Sequence, residues 1–292
     1  MIGRMTHGSR DALRSLALQH LPPEVAEAWA DLLRPGMRLQ AAANSDDVVG
    51  QLGGLPALPP ASAWPVWDGH GPLCFVASIE CARLPWAALD IDLPAAGTLL
   101  FFYFDGQLDD GDALVLAEDP ESWAGARVLH VAADEKAAER GTPAGLKPYP
   151  VVPLTAQVEM TATEPWHPSL RDAFAPGAPL GNRYDHPVCS QEFLDALWEF
   201  GDEVGHQIGG HAHSVQNPVE IEIAEAVLGG QASWDDPRLS AEAGNWVLLA
   251  QFDSEDAAGM MWGDAGALYW LIRPEDLAER RFERAMFTWQ CS

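Results

Sequence analysis

One sequence statement is made twice in this chain, and that repeat limits the possible folds more than any other feature. Gly53-Gly54 is followed by Val76-Ala77-Ser78-Ile79-Glu80, then by Ala96-Gly97-Thr98-Leu99-Leu100-Phe101-Phe102. Gly209-Gly210 is followed by Leu249-Ala250-Gln251-Phe252-Asp253, then by Ala265-Gly266-Ala267-Leu268-Tyr269-Trp270-Leu271. Three signals in one order predict a duplicated β unit. Such a repeat speaks to architecture and hardly at all to chemistry.

Around the repeats, local patterns predict the other elements. Ser9 or Asp11 caps a first helix, Pro22-Pro23 interrupts it, and a second helix ends near Pro35-Gly36. A short strand is expected from Met37 to Ala43. Gln51 to Trp67, rich in Gly and Pro, excludes a helix or a central strand and reads as an extended loop pinned by Leu58, Trp64 and Trp67. The run Thr98 to Phe104 is apolar on both faces, so both faces of that strand are expected to be covered. Further strands are expected at 113–117, 126–132 and 149–160. Pro165 opens a loop running to Arg183. Ser190 caps a helix that Gly201 ends. Strands at 246–253 and 267–272, a helix from Pro274 and a closing strand over 285–291 complete the chain.

Charge restricts the partners. The 43 Asp and Glu face 17 Lys and Arg, a formal net charge of −26. Nucleic acid is not an expected partner, because binding it would bring no counterion release. An anionic membrane is disfavoured for the same reason. A basic protein partner would be steered toward this surface. Met1 to Ala17 carries Arg4, Arg10 and Arg14 without a long apolar core, so no signal peptide is expected. Cys74, Cys81, Cys189 and Cys291 show no C-x-x-C spacing and read as free thiols, which points to the cytoplasm.

Candidate chemistry is sparse. His206, His211 and His213 form the densest imidazole group. They read as metal ligands if His211 and His213 share a strand face, and as loop or surface histidines otherwise. Asp264, in Trp262-Gly263-Asp264-Ala265-Gly266, is either a carboxylate presented beside an aromatic ring or a turn residue accepting backbone N–H groups. The two glycine pairs lack the residues of a phosphate-binding loop, and close backbone approach is their other reading. No G-x-S-x-G motif is present, and nothing local activates Cys74 or Cys81. No catalytic residue and no cofactor is implied.

Gly53-Gly54-Leu55-Pro56 with Leu58-Pro59, Trp64-Pro65 and Pro72-Leu73 resembles the signature of the YwqG-like family. So do Gly209-Gly210 with Gln216, Leu248 to Gln251, and Trp262 to Gly266. Ser78 departs from the pattern, standing where the second repeat has Gln251. The resemblance implies an α+β protein of bacterial type with mostly antiparallel sheet, to which the repeated pattern adds a duplicated β unit and the helical patterns add N-terminal and peripheral helices. The expected division is a helical lead-in over 1–45, a first β-rich repeat over 46–160 and a second over 161–292, the repeats forming one compact unit over 46–292. The family is one of unknown function, and some relatives are associated with toxin–immunity systems. The expectation is a non-catalytic, immunity-like or regulatory binding module. The alternative is an enzyme or small-ligand sensor with a cleft between the repeats, using Gly53, Gly54, Trp64, Gln216, Gln251, Trp262 and Asp264.

Overall fold

Ser9 Oγ accepts the Ala12 N–H at 3.2 Å and starts helix α1, Arg10–His20. Pro22-Pro23 breaks the chain, and Pro23 opens α2, Pro23–Ala30, where its missing N–H costs nothing. The computed structural model describes residues 8–177, 185–201, 204–234 and 236–291. Arg4 and the expected loop end at Arg183 lie outside the described residues.

Ten strands form one sheet: β1 Arg34–Ala41, β2 Gly50–Leu52, β3 Cys74–Glu80, β4 Thr98–Tyr103, β5 Ala126–Val131, β6 Val152–Thr161, β7 His206–Gly209, β8 Val247–Asp253, β9 Ala267–Ile272 and β10 Met286–Gln290. Their order is β10-β9-β8-β7-β1-β6-β2-β3-β4-β5, with every neighbouring pair antiparallel. The remaining helices are α3 Pro168–Phe174, α4 Gln191–Phe200, α5 Val219–Val227, α6 Pro237–Ala243 and α7 Pro274–Ala278. The class is α+β with antiparallel sheet, as the resemblance implied.

β1 and β6 pair along eight residues at the centre of the sheet. On either side runs a meander with the same register. Gln51 faces Ser78 across β2–β3, and Gln207 faces Gln251 across β7–β8. Ala77 faces Phe101 beside a bulge, and Ala250 faces Trp270 beside a bulge at the corresponding place.

The sheet curls until its two wings share a core. Phe101 of β4 lies 5.0 Å from Phe252 and 5.3 Å from Trp270, edge to face. Tyr103 stacks on Phe287 at 5.0 Å. On the opposite face of β4, Phe102 meets Trp64 at 5.5 Å and Phe75 at 5.4 Å. Both faces of β4 are therefore covered, as its apolar run predicts. The equivalent face of β8 and β9 is covered by α5, through Val219, Ile223 and Ala226 packed with Leu248, Tyr269 and Leu271. A second cluster gathers α1, α2 and α4 around Trp29 and Phe193.

Several expectations are corrected. Residues 113–117 form no strand; their backbone groups are taken by side chains, with Ser122 Oγ bonding both Leu116 N and Leu116 O. Trp289 and Trp123 donate to the carbonyls of Val115 and Ala117. Gln51 belongs to a strand inside the sheet, and the rest of the expected loop contributes only the two-residue strands Ala57–Leu58 and Val66–Trp67, which pair with Ala138–Glu139 and Gly71–Pro72 outside the main sheet. β1 starts at Arg34, with Pro35 near the strand start, where proline is tolerated. α3 interrupts the expected loop after Pro165.

Candidate functional site

Each glycine pair ends a strand in the left-handed region, with φ of 61° and 75° at Gly53 and Gly54, and 65° and 72° at Gly209 and Gly210. A Cβ on Gly53 would sit 2.3 Å from Pro150 O, and one on Gly210 would sit 2.7 Å from Thr161 Oγ1. The pairs thus allow close backbone approach. Each is braced by the glutamine two residues before its first glycine. Gln51 Nε2 donates to Gly53 O at 2.9 Å, and Gln207 Nε2 donates to Gly209 O at 2.7 Å.

Beyond Gly210 the chain crosses the sheet and is held by polar side chains rising from it. Gln207 also donates to His211 O at 2.8 Å. Gln251, fully buried, accepts the His213 N–H at 3.0 Å and donates to Gly205 O at 2.9 Å. Tyr269 donates its hydroxyl to His213 O at 2.8 Å. Gln290 accepts the N–H groups of Val215 and Gln216 and donates to Asn217 O and Glu222 Oε1. Gln216 is exposed and donates to Cys291 O. Gln207 and Gln290 are absent from the sequence-derived candidates. For Gln290 the available signal was an amide closing the largely apolar run Met286-Phe287-Thr288-Trp289, which is buried only when partnered; His206-Gln207-Ile208-Gly209 gives no such signal.

The three histidines do not share a strand face, because β7 ends at Gly209. His206 Nδ1 accepts the Asp253 N–H, and its Nε2 lies 3.6 Å from Glu255. His211 Nε2 donates to Leu32 O at 2.8 Å, and its ring lies edge-on to His167 at 5.2 Å. His213 is tied to Gln251 through its backbone. Among the described residues, no group of three or more His, Cys, Asp or Glu is placed to hold a metal ion. Likewise among the described residues, no helix is long and apolar enough to cross a membrane.

His211 carries a pH prediction. Burial, followed by repulsion from His167, pushes its imidazole down to about 3 from the ordinary 6.5. Folding therefore demands the neutral ring, while the unfolded chain takes up a proton below pH 6.5. Stability is fully present above that value and is lost as pH falls. By pH 5 the loss reaches about 2 kcal/mol. Burial lowers His206 and His186 in the same sense, whereas Glu222 and Asp253, raised by burial, act oppositely. Urea unfolding at pH 7 and pH 5, for the wild type and for His211→Asn, isolates the effect. The expected result is a pH-induced loss smaller by about 2 kcal/mol in the variant; identical losses would refute the assignment.

Trp64 donates to Leu73 O over the outer face of β4. Trp262 is buried and contacts Tyr103 and Tyr149, each at 5.8 Å between ring centres. The Tyr149 carbonyl accepts the Gly54 N–H, which links the first glycine pair to the Trp262 turn. Asp264 is exposed in that turn.

Two hollows open where the wings meet. One, of about 570 Å³, lies between α5, β10 and residues 115–118, and takes in Glu118, Gln216, Glu222, Glu225, Trp234 and Trp289. The other, of about 160 Å³, is walled by Tyr103, Leu114, Met261, Trp262 and Trp289, with Asp105 on its lining. Of the candidates, Gln216 lines the first and Trp262 the second; Gly53, Gly54, Trp64, Gln251 and Asp264 line neither. Asp105 accepts from the Cys74 thiol at 2.9 Å, from the Tyr149 hydroxyl, and from the backbone and side chain of Gln107. Burial and this carboxylate push the Cys74 thiol well above its usual range, so it is held as a donor and not as a nucleophile.

No curated protein matches the chain. Residues 50–291 match a domain of unknown function, DUF1963. That span contains both glycine pairs, both meanders and both hollows, while central strand β1 lies before it. The chain belongs to the DUF1963 family.

Proposed function

We propose that this chain is a non-catalytic protein-binding module, immunity-like or regulatory, whose partner is a basic protein. The observation that carries the reading is the 570 Å³ hollow between the wings. Three carboxylates, Glu118, Glu222 and Glu225, border it, and none of its lining residues is a lysine, arginine or histidine. Burial raises the Glu222 carboxyl, and Glu118 and Glu225 raise it further against the hydrogen bonds from Thr288 and Gln290. A cationic group entering there relieves that repulsion, and the −26 net charge draws such a partner in. The restrained Cys74 thiol and the structural use of Gln207, Gln251 and Gln290 favour binding over catalysis.

The family is read as the YwqG-like family, bacterial and cytoplasmic, on the motifs quoted from the sequence. Its two meanders are read as copies of one duplicated unit. The paired registers, paired bulges and paired glycine braces support this.

The test is crosslinked capture in the native cell followed by binding kinetics. A basic partner is expected, with its association rate falling about tenfold or more as salt is raised to several times physiological strength. A salt-insensitive complex, or no partner, removes this reading. A second reading is favoured by the hollow's volume, which lies within the range of small-molecule sites. It is a sensor or enzyme for a small cationic ligand, and it predicts thermal stabilisation by an organic polyamine without any protein partner.

A further inference from the structure

We infer that the mouth of the Trp262 pocket, where residues 104–118 meet residues 253–264, docks a protein segment presenting one apolar side chain flanked by arginines or lysines. The inference rests on the binding-module reading and adds an apolar contact next to the acidic hollow, with which the pocket shares Trp289. The pocket holds about 160 Å³. At about 30 Å³ per water this is room for about five waters, or for the body of one apolar side chain.

Two large apolar side chains stand open at its lip, Met261 at 57% and Leu114 at 47% exposure. A single exposed methionine or leucine is ordinary; two around a pocket walled by Tyr103, Trp262 and Trp289 form a contiguous apolar patch of the kind that marks an interface. The patch is preorganised. Asp105 beneath it receives donors from Cys74, Tyr149 and Gln107, and Ser254 Oγ accepts the Trp262 N–H at 2.9 Å. An incoming side chain therefore need not order the pocket before filling it.

Charge complementarity selects the flanks. Residues 104–118 carry five carboxylates, residues 253–264 carry four, and neither stretch contains a lysine or arginine. Asp110, Asp112 and Asp264 are exposed beside the pocket. Lys147 is held at this end of the molecule through its N–H on Gln107. It leaves the excess strongly negative. A second copy of the chain would bring the same negative charge to the face, so the basic segment is the better fit.

The test is fluorescence anisotropy with short labelled peptides: a leucine flanked by arginines, the same peptide with alanine for leucine, and the leucine flanked by glutamates. The proteins are the wild type, Met261→Glu, Leu114→Glu, and Trp198→Glu on the remote helix α4, where Trp198 is 64% exposed. The arginine-flanked leucine peptide is expected to bind the wild type and Trp198→Glu equally. Either lip substitution is expected to weaken it about tenfold or more. Both lip substitutions add negative charge, so a loss reports the apolar contact and not the electrostatic one. Circular dichroism checks that the variants fold. Equal binding to all four proteins, an alanine peptide as tight as the leucine peptide, or no binding to the wild type overturns the surface. A concentration-dependent dimer abolished by Met261→Glu would assign the face to a second copy and also overturn it. A captured native partner whose exchange-protection footprint lies elsewhere overturns this face while leaving the binding-module reading intact.

Discussion

Replacing Phe101 with alanine is expected to cost about 3–5 kcal/mol and to lower the melting temperature by roughly 10 °C. The ring is fully buried and touches Phe252 and Trp270, which belong to the other wing of the sheet. Its removal deletes apolar area and opens a cavity between two β surfaces that are each anchored to their own strands and relax little. The edge-to-face pairs add a smaller loss. Because the ring serves both wings, heating should still give one transition, shifted as a whole. Calorimetry of the variant beside Trp198→Ala is the measurement, since Trp198 is mostly exposed and its loss should change stability little. A cost below about 1 kcal/mol for Phe101→Ala, or two separated transitions, would show that the wings do not share a core.

The second large effect is expected from Gln290→Leu. Leucine matches the buried shape but makes none of the four hydrogen bonds. Val215 N and Gln216 N lose their acceptor at 2.8 and 3.0 Å, and Asn217 O and Glu222 Oε1 lose their donor at 2.8 and 2.7 Å. Each buried orphan costs about 1–3 kcal/mol, and part of this is recovered because Gln216 and Asn217 reach water. A net loss of about 2–4 kcal/mol follows. Amide exchange should accelerate first at 215–217, next to the large hollow. Gln216→Ala, at an exposed residue, should cost less than about 0.5 kcal/mol. If Gln290→Leu is as mild as Gln216→Ala, and exchange at 215–217 is unchanged, the glutamine does not hold this segment.

These two residues mark where sequence legibility stops. Phe101 stood in a strand whose apolar run announced burial on both faces, and the structure supplies a cover for each. Gln290 stood in a short closing strand, with no local sign that its amide would organise a segment more than seventy residues earlier. Helix α5 shows the same limit in another form. Val219-Glu220-Ile221-Glu222-Ile223 alternates like a strand. It is helical because Val219 and Ile223 pack on the sheet while Ile221 and Ala224 pack on α6, so two neighbours bury two sides.

What could be read from residue order was whatever depends on near neighbours. The caps at Ser9 and Ser190, the left-handed stop at Gly201, the paired glycines and the apolar strands are all of this kind, because capping, turn geometry and period are set within a few residues. Placing β1 beside β6, bringing Trp289 to Val115, and gathering Asp105, Met261 and Trp262 around one pocket required the folded chain. Those contacts join residues far apart in sequence. Their partners are chosen by global packing and by the need to pair every buried polar group, and neither leaves a mark in a short stretch of sequence.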